Sequence, residues 1–286
     1  MKKGLILEGG AMRGMFTAGV LDVMMENGIE FDGAIGVSAG AAFGCNYKSK
    51  QIGRTLRYNV RFCKDPRYCG IRSLIKTGNL YNRDFCYKEV PLKYDIFDFE
   101  TYKNNPMEFY VVCTDINTGK PVYKKCDDFD NENFEWIRAS ASMPIVSTVV
   151  EIDGYSLLDG GISDSIPIRY FESIGYDRNI VILTQPRGYR KNKIRLLPAI
   201  KAVTRKYPMV SKALENRHND YNNSVDYIYQ KEKEGKLLVI APYEKLQAGK
   251  IEHNPTKLER AYEIGRETAL KRIDEIKEYL SLSNQY

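Results

Sequence analysis

The chain has 286 residues, 43% hydrophobic and 28% charged, which excludes a disordered, fibrous or coiled-coil protein and fits one large globular domain or two small ones. Its longest near-apolar stretch, Gly33 to Gly44, falls well short of the roughly 20 residues that a spanning helix needs, and the apolar run after Met1-Lys2-Lys3 is too short for a secretory leader. The net charge of 43 − 37 = +6 is concentrated late, with ten Lys/Arg against one Glu between Arg187 and Arg217, a surface suited to anionic partners. Six Cys without a C-x-x-C pair and two isolated histidines, His218 and His253, predict reduced thiols, a cytoplasmic protein and no built-in metal or cofactor.

In chain order, Leu5 to Leu7 read as a strand buried on both faces of a parallel sheet. A glycine loop follows, then a helix over Met15 to Asn27 stopped by Gly28. Phe31 to Val37 predicts a second buried strand and Ala39 to Tyr47 an Ala-rich, closely packed helix. Phe109–Asp115 and Pro121–Lys124 flank a turn at Asn117-Thr118-Gly119-Lys120, a hairpin. Glu132 to Ser140 is helical in pattern. Val146–Ile152 and Tyr155–Leu158 bracket Asp153-Gly154, a second hairpin ending at Asp159-Gly160-Gly161. Pro167 suits the first position of a helix capped by Asp164 or Ser165. Ile180–Thr184 and Leu237–Ile240 are further buried strands, and Thr256-x-x-Glu259 reads as a capping box opening a helix that runs to about Leu280. Strands alternating with helices predict an α/β sheet between helical layers.

Gly36-Val37-Ser38-Ala39-Gly40 is a G-x-S-x-G sequence between a predicted strand and a predicted helix. A serine on a sharp strand-to-helix turn is thrust out of the backbone, and the flanking glycines remove side chains that would collide there. Gly9-Gly10-Ala11-Met12-Arg13-Gly14 is a glycine loop whose bare amides suit either a phosphate or a tetrahedral oxyanion. The dinucleotide version needs a glycine where Ala11 stands and an acid closing the second strand; Asp32 opens that strand instead. Ser38 needs a base. His218 lies in a polar basic stretch and His253 beside Asn254-Pro255, both ordinary surface settings. Asp159, ending an apolar strand and followed by Gly160 and Gly161, is the better base, although Asp-Gly-Gly also suits a plain turn.

These three motifs, in this order, resemble the patatin-like phospholipases, whose pattern is a G-G-G-x-[RK]-G loop, a G-x-S-x-G elbow and a D-G-[AG] base motif. The elbow and base motif match fully. The loop keeps Gly9, Gly10, Arg13 and Gly14 and departs at Ala11, and Ala139-Ser140-Ala141-Ser142-Met143-Pro144 resembles the family's A-S-x-x-x-P segment. The resemblance spans about residues 4–185. It implies a three-layer α/β/α sandwich with a mainly parallel central sheet, a catalytic domain over 1–185 and a basic, mainly helical C-terminal extension over 186–286 packed on it. It further implies a serine esterase or lipid acyl hydrolase in which Ser38 attacks, Asp159 takes the proton, and the amides of Gly9, Gly10 and Ala11 hold the oxyanion. Arg13, Gly14, Gly36, Gly40, Gly160 and Gly161 support the motifs.

Within the basic segment, Ile194, Leu197, Ile200, Val203, Tyr207, Val210 and Leu214 recur at helical spacing, broken by Pro198 and Pro208. This reads either as a helix packed on its own domain or as an interfacial helix touching an anionic membrane through 187–217, which would place the protein at the inner face of the membrane. No nucleic-acid module accompanies the charge. The rival functions are a dinucleotide-binding oxidoreductase and a catalytically silent membrane or acyl-chain binding module.

Overall fold

In a computed structural model of the chain, the structure describes residues 1–128, 131–194, 200–202 and 204–281. Eight strands form one sheet: β1 (Lys2–Leu7), β2 (Gly33–Val37), β3 (Glu108–Asp115), β4 (Pro121–Lys125), β5 (Val150–Ile152), β6 (Tyr155–Asp159), β7 (Tyr176–Ile182) and β8 (Leu237–Ile240). The order is β5-β6-β3-β2-β1-β7-β8, with β4 paired to β3. The β3-β2-β1-β7-β8 stretch is parallel, and β4, β5 and β6 are antiparallel additions at one end.

The continuous apolar runs of the central strands follow from burial on both faces. In β1, Leu5 and Leu7 enter one core cluster and Ile6 the other, as the two-residue period of a strand requires. The first face is covered by α1 (Gly14–Glu26), α2 (Ala39–Lys48), α3 (Arg54–Phe62), α6 (Asn131–Ser140), α9 (Pro255–Lys271) and α10 (Ile273–Ser281). The second is covered by α7 (Ile168–Ser173) and α8 (Pro208–Lys233). This is the three-layer α/β/α sandwich that the resemblance implies. The late residues are woven in: β8 extends the sheet beside β7, and Tyr262 of α9 donates to Asp22 of α1 at 2.7 Å.

Several local expectations need correction. Pro167 precedes α7, which starts at Ile168 with no side-chain cap; Asp164 instead accepts from the Ile166 amide. Thr256 and Glu259 form no capping box, because Asn254 caps α9 by accepting from the Thr256 amide and Pro255 takes the first helical position. That helix ends at Lys271, and Arg272, outside the helical region, separates it from α10.

The apolar stripe of the basic segment is not one helix. Pro208 opens α8 instead of interrupting it. Val210 and Leu214 are buried with Ile116, Leu158 and Ile162, and Ile194, Ile200 and Tyr207 pack against them. The described part of the stripe therefore faces the protein, as a helix packed on its own domain would. Arg195, Leu197, Pro198 and Val203 lie outside the described residues. Among the described residues no helix is long and apolar enough to cross a membrane.

Candidate active site

The sheet register brings Ser38 to Asp159. On β3, residues 110–112 pair with both β2 and β4, so these two strands occupy opposite edges; Cys113 and Thr114 pair with both β4 and β6, so β6 shares the β2 edge. Val37 pairs with Val112 and Asp159 with Cys113. The end of β2 and the end of β6 therefore meet head-on along one edge of β3, and the residues at their tips are neighbours although 121 positions apart.

Ser38 occupies the sharp turn between β2 and α2 with φ 55 and ψ −120, a strained conformation for a residue with a side chain, costing about 1–3 kcal/mol. Its Oγ donates to Asp159 Oδ2 at 2.8 Å. The other carboxylate oxygen accepts from the Gly161 amide at 2.7 Å, in the 3-10 turn Gly160–Ile162, and the Thr114 hydroxyl donates to the Asp159 carbonyl at 2.8 Å. With both oxygens used, the carboxylate has one orientation. Asp159 is only 6% exposed. Burial raises its pKa above the ordinary carboxylate range, opposed by the Ser38 hydrogen bond, the positive charge of Arg217, the Gly161 amide and Lys191. A raised value brings a carboxylate closer to the basicity that proton transfer at neutral pH asks for.

The glycine loop stands directly above the serine. It leaves β1 after Leu7, passes Gly9 and Gly10, makes a 3-10 turn over Ala11–Arg13 and enters α1 at Gly14. A methyl built on Gly9 would sit 3.2 Å from Ser38 Cβ, so the loop backbone lies within reach of a carbonyl bound at Ser38. Among the described residues the amides of Gly9, Gly10 and Ala11 have no acceptor. They are donors left open at the place where an oxyanion would form.

Beside Ser38 opens a cleft with about 880 Å³ of empty space, part of it exposed to solvent. Its wall is largely apolar: Phe43 of α2, Tyr58 of α3, Tyr87, Val90 and Pro91 of a π-helical segment (Phe85–Tyr94), and Ile137 of α6. Its apolar lining suits an acyl chain. The two histidines are elsewhere: His218 Nδ1 contacts the Glu215 carbonyl of its own helix and His253 Nδ1 the Cys63 carbonyl. Asp32 lies at the opposite end of β2 from the loop, accepting from the Lys3 amide at 2.7 Å, which removes the ribose-binding acid from the dinucleotide reading.

The patatin-like phospholipase family profile matches residues 5–172. The chain belongs to the patatin-like phospholipases. A second profile, described as a domain of unknown function, matches residues 207–281. The chain is 31% identical over 199 residues to the uncharacterized protein YjjU of Escherichia coli, an alignment covering 64% of this chain and 52% of that one. It is 27% identical over 187 residues to lysophospholipase nte1 of Aspergillus terreus, covering 61% of this chain and 11% of the fungal one. The chain thus spans about half of the bacterial relative and about a tenth of the fungal one. Among solved structures, VipD of Legionella pneumophila aligns with a TM-score of 0.47 at 13% identity, over 96% of this chain and 67% of that one.

The patatin-like loop's departure at Ala11 has a backbone consequence. Ala11 has φ 49, left-handed space where a side chain costs roughly 1–2 kcal/mol and glycine does not. The amide is retained at that cost.

The patatin-like A-S-x-x-x-P segment also proves to hold a positioning residue. Ser140 is fully buried; its Oγ accepts from the Ser38 amide at 2.8 Å and donates to the Val112 carbonyl at 2.6 Å. Two residues on, the Ser142 carbonyl accepts from the Asp159 amide at 2.8 Å. One short loop thereby anchors both members of the pair. Ser140→Ala orphans a buried donor and a buried acceptor, and is expected to cost about 1–3 kcal/mol in urea unfolding. Displacement of the Ser38 turn should also lower ester kcat about tenfold or more; unchanged kcat would refute the positioning role.

Proposed function

We propose that the protein is a serine esterase acting on lipid acyl esters, with Ser38 as nucleophile and Asp159 as its base. The single observation that carries this reading is the 2.8 Å hydrogen bond from Ser38 Oγ to a buried carboxylate, beside three open amides and an apolar cleft. Ser38 Oγ attacks the ester carbonyl as its proton passes to Asp159 Oδ2. The oxyanion is held by the amides of Gly9, Gly10 and Ala11. Collapse expels the alcohol, which takes the proton back from Asp159 and leaves an acyl-serine. Water then attacks that acyl group, giving its proton to Asp159, and the fatty acid departs as Ser38 is re-protonated.

An ordinary carboxylate is a weaker base than imidazole. Ester cleavage, which has no amine to expel, suits it better than amide cleavage. The fungal relatives' name, lysophospholipase, supports a single-chain acyl lipid as substrate. We place the enzyme in the cytoplasm, with any membrane contact through 187–217 electrostatic, carried by the exposed Lys193, Arg205, Lys206 and Lys212, since the described apolar stripe is covered. A fluorophosphonate probe should label Ser38, as located by peptide mapping. Ser38→Ala should lose both the label and p-nitrophenyl ester turnover, and persistence of either would overturn the assignment.

A further inference from the structure

Four cations from four separate parts of the chain lie within electrostatic range of one another near the pair. Arg13 closes the turn after β1, Lys191 follows β7, Arg217 lies on α8, and Lys250 lies in the loop before α9. Lys191 lies within electrostatic range of Arg217, Arg13 and Lys250, and Lys250 within range of Arg217, Arg13 and Asp159. Arg217 Nε donates to the Gly161 carbonyl, one turn from the base. None of the four lines the acyl cleft.

None of the four forms an ion pair among the described residues. The carboxylates of Glu8 and Asp159 lie within electrostatic range and are already taken. Glu8 accepts from the Thr184 amide and hydroxyl on one oxygen and from Tyr221 on the other, and Asp159 from Ser38 and Gly161. Neighbouring cations of the same basic segment are treated differently: Arg187 pairs with Glu232 at 2.6 Å, Arg190 with Asp226, and Lys201 with Glu215 at 2.8 Å. Arg13 Nε is buried with no hydrogen-bond partner. The half-buried Lys191 ammonium rests on the Tyr221 ring, 4.1 Å from its centre. Burial and the charge of Arg217 push Lys191 down to about 7. Like charges held together without an ion pair of their own favour the binding of an anion.

We propose that Arg13, Lys191, Arg217 and Lys250 form an anion subsite that holds the phosphate group of the ester substrate while the acyl chain fills the apolar cleft on the other side of Ser38. This rests on the ester-hydrolase reading. The chemistry that fits is a phosphate, with three or more acceptor oxygens for guanidinium and ammonium donors. Cations gathered where the carboxylates of Glu8 and Asp159 are already hydrogen-bonded disfavour a headgroup carrying its own amine or quaternary ammonium and favour a terminal phosphate monoester. Three of the four cations lie outside the residues matched by the family profile, so the preference belongs to this chain's C-terminal part.

The test compares kcat/KM for 1-oleoylglycerol 3-phosphate, 1-oleoylglycerophosphocholine and 1-oleoylglycerol, presented in the same neutral detergent micelles. The phosphate monoester is expected to be favoured over each of the others by about tenfold or more. Lys191→Met with Lys250→Met should bring those ratios toward one, and Lys250→Met alone, at an exposed position, should do so in part. Equal wild-type ratios, or ratios unmoved in both variants, would overturn the subsite. Inorganic phosphate distinguishes the sources. If the lipid headgroup is the occupant, phosphate competes only with the phosphorylated ester; if free phosphate is, it alters turnover of all three equally through the same lysines. Should no ester be turned over and Ser38 fail to label, the hydrolase reading falls. Titration calorimetry of inorganic phosphate against wild type and the double variant then decides the subsite separately: binding lost in the variant supports it, and no binding, or equal binding, overturns it.

Discussion

Asp159→Asn is expected to lower ester kcat by about 10³- to 10⁴-fold while the fold stays intact. The asparagine keeps the shape but cannot take a proton, and both carboxylate oxygens now accept, from Ser38 Oγ and the Gly161 amide. An amide group turned either way puts an NH2 against one of these donors. His218→Ala and His253→Ala should remain within a few-fold of wild type, since their ring nitrogens contact the Glu215 and Cys63 carbonyls and not Ser38 or Asp159. The wild-type pH profile gives an independent check. Asp159 must be ionised to act, and burial raises its pKa from the ordinary 3.8. As pH falls, kcat/KM should therefore begin to drop while an ordinary aspartate would still be charged. A fully active Asn variant, or a histidine variant as damaged as the Asn one, would sink the dyad.

The parts of this fold legible in the chain are those whose signal is local. A strand buried on both faces shows as an unbroken apolar run, so Leu5–Leu7, Phe31–Val37 and Leu237–Ile240 could be read directly, and a glycine-flanked serine between strand and helix marks its own turn. That residue 38 and residue 159 belong together is different. No spacing contains it; it follows from two strands abutting on one edge of β3, and in the chain only the place of Asp159 at the end of an apolar strand and the resemblance to the patatin-like pattern pointed there.

The segments between α2 and β3 were not legible. α3, α4 (Ile71–Thr77), the π-helical segment and α5 (Phe99–Asn104) are short or irregular. α3 and the π-helical segment meet through aromatic packing, such as Phe62 against Phe85 with ring centres 5.2 Å apart. Charge misled in a related way. Residues 187–217 read as one basic surface, but folding pairs Arg187, Arg190 and Lys201 with acids and sends Lys191 and Arg217 toward the base, where Arg13 arrives from the far end of the chain. The wrong capping box at Thr256 has a simpler cause: Asn254 is also a good cap, and Pro255 fixes the first helical residue one turn position earlier.

Gly40→Ala should be among the most damaging single-methyl changes in the protein, although helix propensity argues the reverse. Alanine is favoured over glycine inside a helix by roughly 0.5–1 kcal/mol, and Gly40 is the second residue of α2. Yet a Cβ there would stand 2.4 Å from the Leu7 carbonyl oxygen and 3.0 Å from that of Glu8. Leu7 cannot withdraw, because its backbone is paired with Gly36 of β2 on one side and Ile182 of β7 on the other. The helix must move instead, and it carries Ser38 at its cap while Leu7 leads into Gly9–Ala11, so nucleophile and open amides are driven apart together. Overpacking against rigid backbone costs about 1–3 kcal/mol or more, which outweighs the propensity gain. Urea unfolding should show a net loss, and ester kcat should fall about 10²-fold. Gly44→Ala, one turn later, separates the two effects: its Cβ meets side chains and no backbone, the Leu7 end at 2.3 Å and the Phe109 ring at 3.5 Å, and the Leu7 end can rotate aside, so kcat should fall far less. Equal kcat for the two variants would mean that the approach of α2 to β1 does not hold the site together.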